Sequence, residues 1–404
     1  MPMIDHLRTA VETLLATCLA DMPPATRQRL TDLVLGVLLA GTVVLRQVAT
    51  TQRHVAGGTV QAASHERRLR RTLNDPQVEA VPTYTRVVRR ILQRLRPGQE
   101  VRLLIDESGH SNVVRVLTVA LWYRGRAVPL TWVLWPAHQP HDQSYWADCT
   151  TLLDQVATIL PAGLCITVIG DRAFGCPAFT DLVTARGWNY LVRVQGQTRL
   201  RTPDGSETPL RDLLAHPGQR RCLRGHIFKK QGWRDASVVA YWRSTCRDPL
   251  LLVSSLPAHW GLVNVYRLRH AIEALFRDWK TSGWQWESSQ VRAVAHQEVV
   301  VLVLALATVL TLCLGEEAVQ EILAQSKQQG QRRPWAARDS LFRLGRDRLW
   351  RRIWQNDTRP ITWALTAVDA PTWSQECWQA ARSDDTPIYQ TERVGHREHR
   401  RTAA

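Results

Sequence analysis

The sequence has few of the features that are typical of secreted proteins or of proteins stabilised by a bound metal ion. Its eight cysteines are scattered along the chain and form no Cys-x-x-Cys pair, so neither a disulfide framework nor a zinc site is predicted. The N-terminal residues lack the basic, apolar and small-residue segments of a secretory leader. The apolar run 299–314 carries no charge but is shorter than the ~20 residues that cross a bilayer. We therefore expect a cytoplasmic protein in which this run forms a buried core helix.

Acidic residues and lysine are scarce relative to arginine. The chain of 404 residues carries 52 Lys and Arg against 36 Asp and Glu, a formal net charge of +16, and only four of the 52 are lysine. Such a surplus attracts polyanions, of which nucleic acid is the commonest; the alternative is a basic protein without such a partner. The 45% hydrophobic and 22% charged residues exclude a mostly disordered chain.

Residues 1–96 show the spacing of a helical region. Apolar residues recur every three or four positions between Leu30 and Val48, which predicts amphipathic helices. A basic cluster near the end of this region consists of Arg67, Arg68, Arg70 and Arg71. A small DNA-binding domain and a helical bundle that packs on the rest of the chain both fit this pattern.

From residue 97 the pattern changes to short β-branched and aromatic runs. Three such runs predict consecutive strands, and the chain up to residue 194 then alternates helix with strand. This order predicts an α/β fold with a mixed sheet and helices on its faces. Residues 195–261 contain turn-rich, short β segments and are interpreted as an all-β insertion within this second domain. The domain resumes at 262–325, and residues 326–404 form a basic C-terminal region.

Two carboxylates stand at the ends of apolar strand segments, where an acidic residue is hard to explain by structure alone. Asp106 ends the run VRLLID and Asp171 ends the run LCITVIGD. The carboxyl ends of strands in a helix-covered sheet face the crevice where ligands bind, so both are candidate site residues. Each could instead form a turn or cap a helix. Glu107 competes with Asp106, but neighbours on a strand point to opposite faces, so at most one of them faces the site.

A third acidic residue lies on a predicted amphipathic helix from about residue 262 to 281. Within the segment VYRLRHAIEALFRDWK, four residues follow the spacing Y-x2-R-x3-E-x6-K: Tyr266, Arg269, Glu273 and Lys280. Steps of three, four and seven place these side chains close to one helical face. The alternative is an ordinary solvated stripe of charges. A lone carboxylate beside two cations and a phenol instead suits a metal ligand flanked by phosphate contacts.

With this helix and the two strand-end acids together, residues 60–315 resemble the bacterial insertion-sequence DDE transposases, whose catalytic glutamate lies in a tyrosine–arginine–glutamate–lysine signature. The resemblance implies a ribonuclease H-like fold preceded by a small helical domain. It also implies that Asp106, Asp171 and Glu273 are the catalytic and metal-binding residues. Mg2+ is the implied cofactor, with Mn2+ as a substitute, because carboxylates can hold two such ions about 3.5–4 Å apart around a scissile phosphate. The residues implied in DNA binding are Tyr266, Arg269, Lys280, Arg172, Arg67, Arg68, Arg70 and Arg71.

The activity implied by this resemblance is cleavage of DNA at transposon ends and strand transfer into target DNA. A homodimer is expected, because two ends must be joined. The alternatives are a ribonuclease H-fold nuclease without strand transfer and a non-catalytic DNA-binding derivative of a mobile element. The three intact carboxylates count against the second alternative. We expect the protein in the bacterial cytoplasm, associated with the nucleoid when it is bound to DNA.

Overall fold

The computed structural model describes residues 2–55, 57, 61–138, 144–328 and 339–366. The helices in these ranges are α1 (Pro2–Cys18), α2 (Pro24–Ala40), α3 (Leu45–Val55), α4 (Ala62–Leu73), α5 (Ala80–Ile91), α6 (Tyr145–Ile159), α7 (Pro177–Thr184), α8 (Gly261–Arg267), α9 (His270–Arg277), α10 (Val294–Gln328) and α11 (Leu341–Trp354). The strands are β1 (Glu100–His110), β2 (Val114–Tyr123), β3 (Arg126–Pro136), β4 (Cys165–Gly170), β5 (Asn189–Arg193), β6 (Arg199–Arg201), β7 (Glu207–Pro209), β8 (Arg220–Ile227), β9 (Arg234–Tyr241) and β10 (Leu250–Ser254).

The strands of the described residues form one mixed sheet in the order β3-β2-β1-β4-β5-β10-β9-β8-β6-β7. Short turns join β1 to β2 and β2 to β3, so these strands pair antiparallel. The helices α6 and α7 provide the crossovers that make β4 parallel to β1 and β5 parallel to β4. Three antiparallel strands followed by two strands parallel to the first are the ribonuclease H-like arrangement that the resemblance implies.

The predicted β insertion extends this sheet. Strand β10 pairs antiparallel with β5, and β9 and β8 follow outward in the same sheet. Leu252 on β10 lies opposite Arg193 on β5. The chain therefore leaves the insertion alongside β5, immediately before the helices α8 and α9 that carry the signature residues.

The helices of residues 2–91 share their core with the sheet. Buried apolar side chains from Met3 to Leu365 form one continuous cluster. The buried Tyr84 hydroxyl on α5 donates a hydrogen bond of 2.8 Å to the Pro129 carbonyl oxygen on β3. Burying that hydroxyl without a partner would cost about 1–3 kcal/mol. The helical region and the sheet therefore stabilise each other.

The apolar helix α10 lies in the centre of this core. Its residues 299–314 are all buried, and the Thr308 hydroxyl oxygen accepts hydrogen bonds of 3.0 Å from the indole N–H groups of Trp279 and Trp284. By length and composition alone Val294–Gln325 could cross a membrane, as could α2 and α3 taken as one bent span. However, 94% of the apolar window in α10 is buried inside the protein. The prediction of a buried core helix is confirmed.

Helix α11 crosses α10 at two glycines. A Cβ added to Gly345 would lie 1.9 Å from the Thr311 carbonyl oxygen, and one added to Gly315 would lie 2.2 Å from the Leu341 carbonyl oxygen. Because backbone cannot move aside as a flexible side chain can, this close approach requires glycine at both positions. Helix α11 belongs to the predicted basic C-terminal region, of which 329–338 and 367–404 lie outside the described residues.

Candidate active site

Asp106 and Asp171 lie side by side on neighbouring parallel strands. Ile105 on β1 pairs with Gly170 on β4, and each acid occupies the next position along its strand direction. The sequence predicts that the first strand ends at Asp106, but β1 continues to His110, paired with β2 alone. The reason is that β4 ends at Gly170, where the chain turns away. Adjacent strands lie about 4.8 Å apart, so the two carboxylates share one edge of the sheet.

Asp171 also caps the turn that follows it. Its carboxylate accepts a hydrogen bond of 2.7 Å from the Ala173 backbone N–H, which closes the 3-10 turn Arg172–Phe174. The capping role that the sequence leaves open is therefore real, and it coexists with a position at the site. Arg172 is exposed on this turn, directly next to Asp171.

Glu273 reaches the same place from helix α9. Arg269 donates one hydrogen bond to Oδ2 of Asp106 at 3.0 Å and another to Oε1 of Glu273. The other carboxylate oxygen of Glu273 lies 3.0 Å from Nδ1 of His270. The charge of Asp171 acts on both Asp106 and Arg269. The structure thus brings the three predicted acids together around one guanidinium group.

The helical segment that carries these residues is not a uniform α-helix. Helices α8 and α9 meet at Arg269, and a π-type turn, Asp278–Ser282, follows α9. A π turn contains more residues than an α turn, so the seven-residue step from Glu273 to Lys280 does not keep both on one face. The Lys280 ammonium lies 3.9 Å from Oε1 of Glu287. Lys280 is therefore the signature residue whose placement departs from the predicted helical face.

Tyr266 lies beside Arg269, and their side chains share a hydrogen bond. Burial raises the pKa of the Tyr266 hydroxyl, while the nearby charges of Arg269 and Arg193 oppose that rise without cancelling it. Arg193 belongs to none of the sequence motifs described above. A signal was available, because Arg193 ends β5, the parallel neighbour of the strand that leads to Asp171.

Tyr145 is a second residue near the acids that lies outside those motifs. Its ring is the first in helix α6 and packs edge-on against Trp135, with 6.3 Å between ring centroids. Burial raises the pKa of the Tyr145 hydroxyl far above its ordinary value, and Cys149 and the charges of Glu107, Asp171 and Asp106 add to the rise in that order. Tyr145 therefore stays a neutral phenol. Its placement results from packing between elements that are distant in the sequence, and no local sequence pattern indicates such packing.

The carboxylates differ in how well their charge is compensated. Burial raises the pKa of Asp106 to about 6; Arg269 opposes the rise, and the charges of Asp171 and Glu273 add to it. Burial also raises the pKa of Glu273, but His270 and Arg269 outweigh it and hold that pKa below its ordinary value. The site therefore contains more negative charge than Arg269 alone can neutralise.

The arginine cluster of the N-terminal region lies on helix α4, where all four side chains are exposed. Arg70 forms an ion pair of 2.8 Å with Glu66 one turn earlier. Arg68 and Arg71 line a cavity of about 570 Å3 between α1, α2, α3 and α4. The structure thus separates the cluster into residues that border a cavity and residues on the outer surface of the helix.

The sequence model of the transposase DDE domain family matches residues 115–310. Slightly less than half of the chain is thus similar to a transposase DDE domain. The matched range includes Asp171 and Glu273 and begins after Asp106. Among solved structures, the chain is similar to piggyBac transposase in a synaptic complex with hairpin DNA, at 10% sequence identity, 96% coverage of this chain, 84% coverage of that chain and a TM-score of 0.43. No curated protein sequence matches the chain.

Transposase DDE domains generally use divalent metal ions, and the donor chemistry of this site suits one. Hard cations such as Mg2+ prefer carboxylate oxygens, and the raised pKa of Asp106 shows that its negative charge lacks full compensation. In the arrangement described, no three acidic, histidine or cysteine side chains within the described residues are close enough to hold one ion. Asp106, Asp171 and Glu273 offer the type of oxygen donor that such an ion takes, and Arg269 lies between two of them.

Proposed function

We propose that this protein is a metal-dependent DNA transposase that cleaves DNA at the ends of its element and joins the freed strand to target DNA. The observation that supports the proposal is that Arg269 joins Asp106 to Glu273, with Asp171 beside Asp106 on the neighbouring strand, in a chain whose residues 115–310 match the transposase DDE domain family. Two of these acids come from adjacent strands and the third from a helix. A shared surface role would not require such convergence.

In this proposal Asp106, Asp171 and Glu273 hold divalent metal, Mg2+ or in its place Mn2+. The metal, when bound, supplies an activated attacking oxygen and stabilises the leaving oxygen at the scissile phosphate. The neighbouring cations position the DNA backbone, because a guanidinium donates two parallel hydrogen bonds to a phosphate. Arg269 contacts two of the acids, Arg172 follows Asp171 in the chain, and Arg193 acts on the neighbouring Tyr266.

The proposed partner is DNA, both the transposon ends and the target. The net charge of +16 favours contact with phosphates, and the arginines at 67, 68, 70 and 71 offer a further exposed basic surface. We further propose a homodimer in the complex of paired ends, a cytoplasmic location, and association with the nucleoid through bound DNA.

The test uses DNA from the borders of the coding region, where terminal inverted repeats are expected. Full-length protein is incubated with a border fragment and a target plasmid in Mg2+, and cleaved ends are separated from joined products. We expect both products from the wild type and neither from Asp106→Asn, Asp171→Asn or Glu273→Gln, with border binding retained. Cleavage without joining would identify a nuclease, and binding without cleavage would identify a non-catalytic derivative.

Glu107→Gln is the matched control for these variants. Glu107 is the exposed neighbour of Asp106 on the same strand, so its side chain projects to the opposite face. We expect this variant to cleave and join like the wild type. If Glu107→Gln lost both reactions while Asp106→Asn stayed active, Glu107 would replace Asp106 as a residue of the proposed site.

A further inference from the structure

Arg269 joins two acids that come from different elements of the fold. Its Nη1 donates to Asp106 at 3.0 Å and its Nη2 donates to Glu273, so one guanidinium joins a strand residue to a helix residue. Its side chain is only 17% exposed. Arg348 also contacts two acids, Glu317 and Glu321, but neither is a candidate site residue. Arg269 instead uses both arms of its fork on two of the three proposed metal ligands.

A divalent ion and this guanidinium need the same oxygens. Oδ2 of Asp106 and Oε1 of Glu273 both accept hydrogen bonds from Arg269, and an oxygen that faces a guanidinium is shielded from a metal. Two cations held a few ångströms apart in a poorly hydrated site also repel each other strongly. Arg269 and a bound metal therefore compete for the carboxylates.

The surroundings of Arg269 include few alternative anions besides the carboxylates. Its other hydrogen-bonding neighbour is the neutral Tyr266, on which the charge of Arg193 also acts. A DNA phosphate at this site would offer Arg269 a new anion with the geometry its fork prefers. The guanidinium could then exchange carboxylate for phosphate without losing a partner.

We propose that Arg269 occupies the metal position of the catalytic site until DNA is bound, and that its transfer to a DNA phosphate frees the carboxylates for metal. This inference rests on the proposed metal-dependent function and adds a coupling to it. Because the coupling between two ligands is reciprocal, DNA should tighten metal binding and metal should tighten DNA binding. Arg269 is a positioning residue in this scheme, since it acts through the carboxylates.

The test measures Mn2+ binding to metal-free, full-length protein by calorimetry, first without DNA. Removal of the competing guanidinium in Arg269→Gln should tighten Mn2+ binding by about ten-fold or more, which is the range for charged hydrogen bonds. Arg277→Gln is the matched control, because Arg277 is an exposed arginine of the same helix, two turns further on. We expect this control to bind Mn2+ like the wild type.

The second arm repeats the titration with a duplex oligonucleotide at low salt. DNA should tighten Mn2+ binding to the wild type and should tighten it much less in Arg269→Gln. Arg269→Lys keeps the charge but loses the fork, so it should fall between the two and gives a readout if the glutamine variant folds poorly. Circular dichroism verifies folding of each variant.

Two results would overturn the inference in distinguishable ways. If Mn2+ binding were unchanged or weaker in both Arg269 variants and abolished in Asp106→Asn, the proposed competition between Arg269 and metal would be wrong. The proposed metal site would still stand. Wild-type Mn2+ binding that survives Asp106→Asn, Asp171→Asn and Glu273→Gln would remove the proposed metal site itself, and the inference with it.

Discussion

The replacement of Asp106 by asparagine should make the metal-free protein more stable while abolishing its activity. The Asp106 side chain is 16% exposed, and burial raises its pKa from 3.8 to about 6 in spite of Arg269. Since the folded-state pKa lies above the unfolded one, the folded protein binds more protons between about pH 4 and pH 6. Stability from this group is present at low pH and is lost as the pH rises through 6.

The size of the effect follows from the two pKa values. One pH unit corresponds to about 1.4 kcal/mol, so ionised Asp106 costs the folded state about 3 kcal/mol at pH 8. At pH 5 the folded-state carboxyl is mostly neutral, and the cost is about 1.5 kcal/mol. Asparagine resembles the neutral acid, so Asp106→Asn should raise the free energy of unfolding by about these amounts at the two pH values.

Urea denaturation in the presence of a chelator, at pH 5 and pH 8, measures this difference. Glu107→Gln serves as the control for an amide at the exposed neighbouring position and should not reproduce the pH dependence. A gain for Asp106→Asn that is absent, or larger at pH 5 than at pH 8, would refute the reasoning. Because the wild type and Glu107→Gln keep all three carboxylates, excess Mn2+ should stabilise both and leave Asp106→Asn nearly unchanged.

Three further predictions follow from the packing, the signature and the charge. Gly345→Ala should lower the free energy of unfolding by at least about 2 kcal/mol, measured in urea, because the new Cβ would lie 1.9 Å from a backbone oxygen of α10; wild-type stability would contradict the crossing. Lys280→Ala should keep nicking and lose later steps, since an ammonium group positions a phosphate and does not ligate metal. Equal loss of both steps with a lowered melting temperature would instead favour a bracing role through the ion pair of Lys280 with Glu287. The affinity for DNA should fall by ~0.9 log units per phosphate contacted for each tenfold increase in salt concentration. An affinity that does not change with salt would contradict the electrostatic contribution expected from the net charge of +16.

The strands and acids of the site could be predicted because they depend on local patterns. Apolar runs followed by an acid marked both Asp106 and Asp171, and the parallel pairing of β1 with β4 then brought them together. The fixed spacing in the signature identified Glu273 in the same way. Sequence reasoning works here because strand register and helical periodicity translate spacing into direction.

The remaining features depend on contacts between distant segments. The π-type turn at Asp278–Ser282 shifts Lys280 out of the predicted face, and nothing in the spacing signals that extra residue. The position of Arg269 between Asp106 and Glu273 requires the strand and helix to be packed already. The same applies to Tyr145, whose nearness to the acids comes from the packing of α6.

The buried helix α10 limits how this protein can exchange parts with its relatives. The apolar side chains of the N-terminal helices and those of the sheet belong to one cluster that includes residues 299–314. A recombination breakpoint near residue 97 would join a helical region from one ancestor to an α10 shaped by another, and mismatched side chains in a close-packed core are destabilising. Chimeras with relatives should therefore fold best when residues 2–91 and 294–328 are inherited together, although more than 200 residues separate them in the gene.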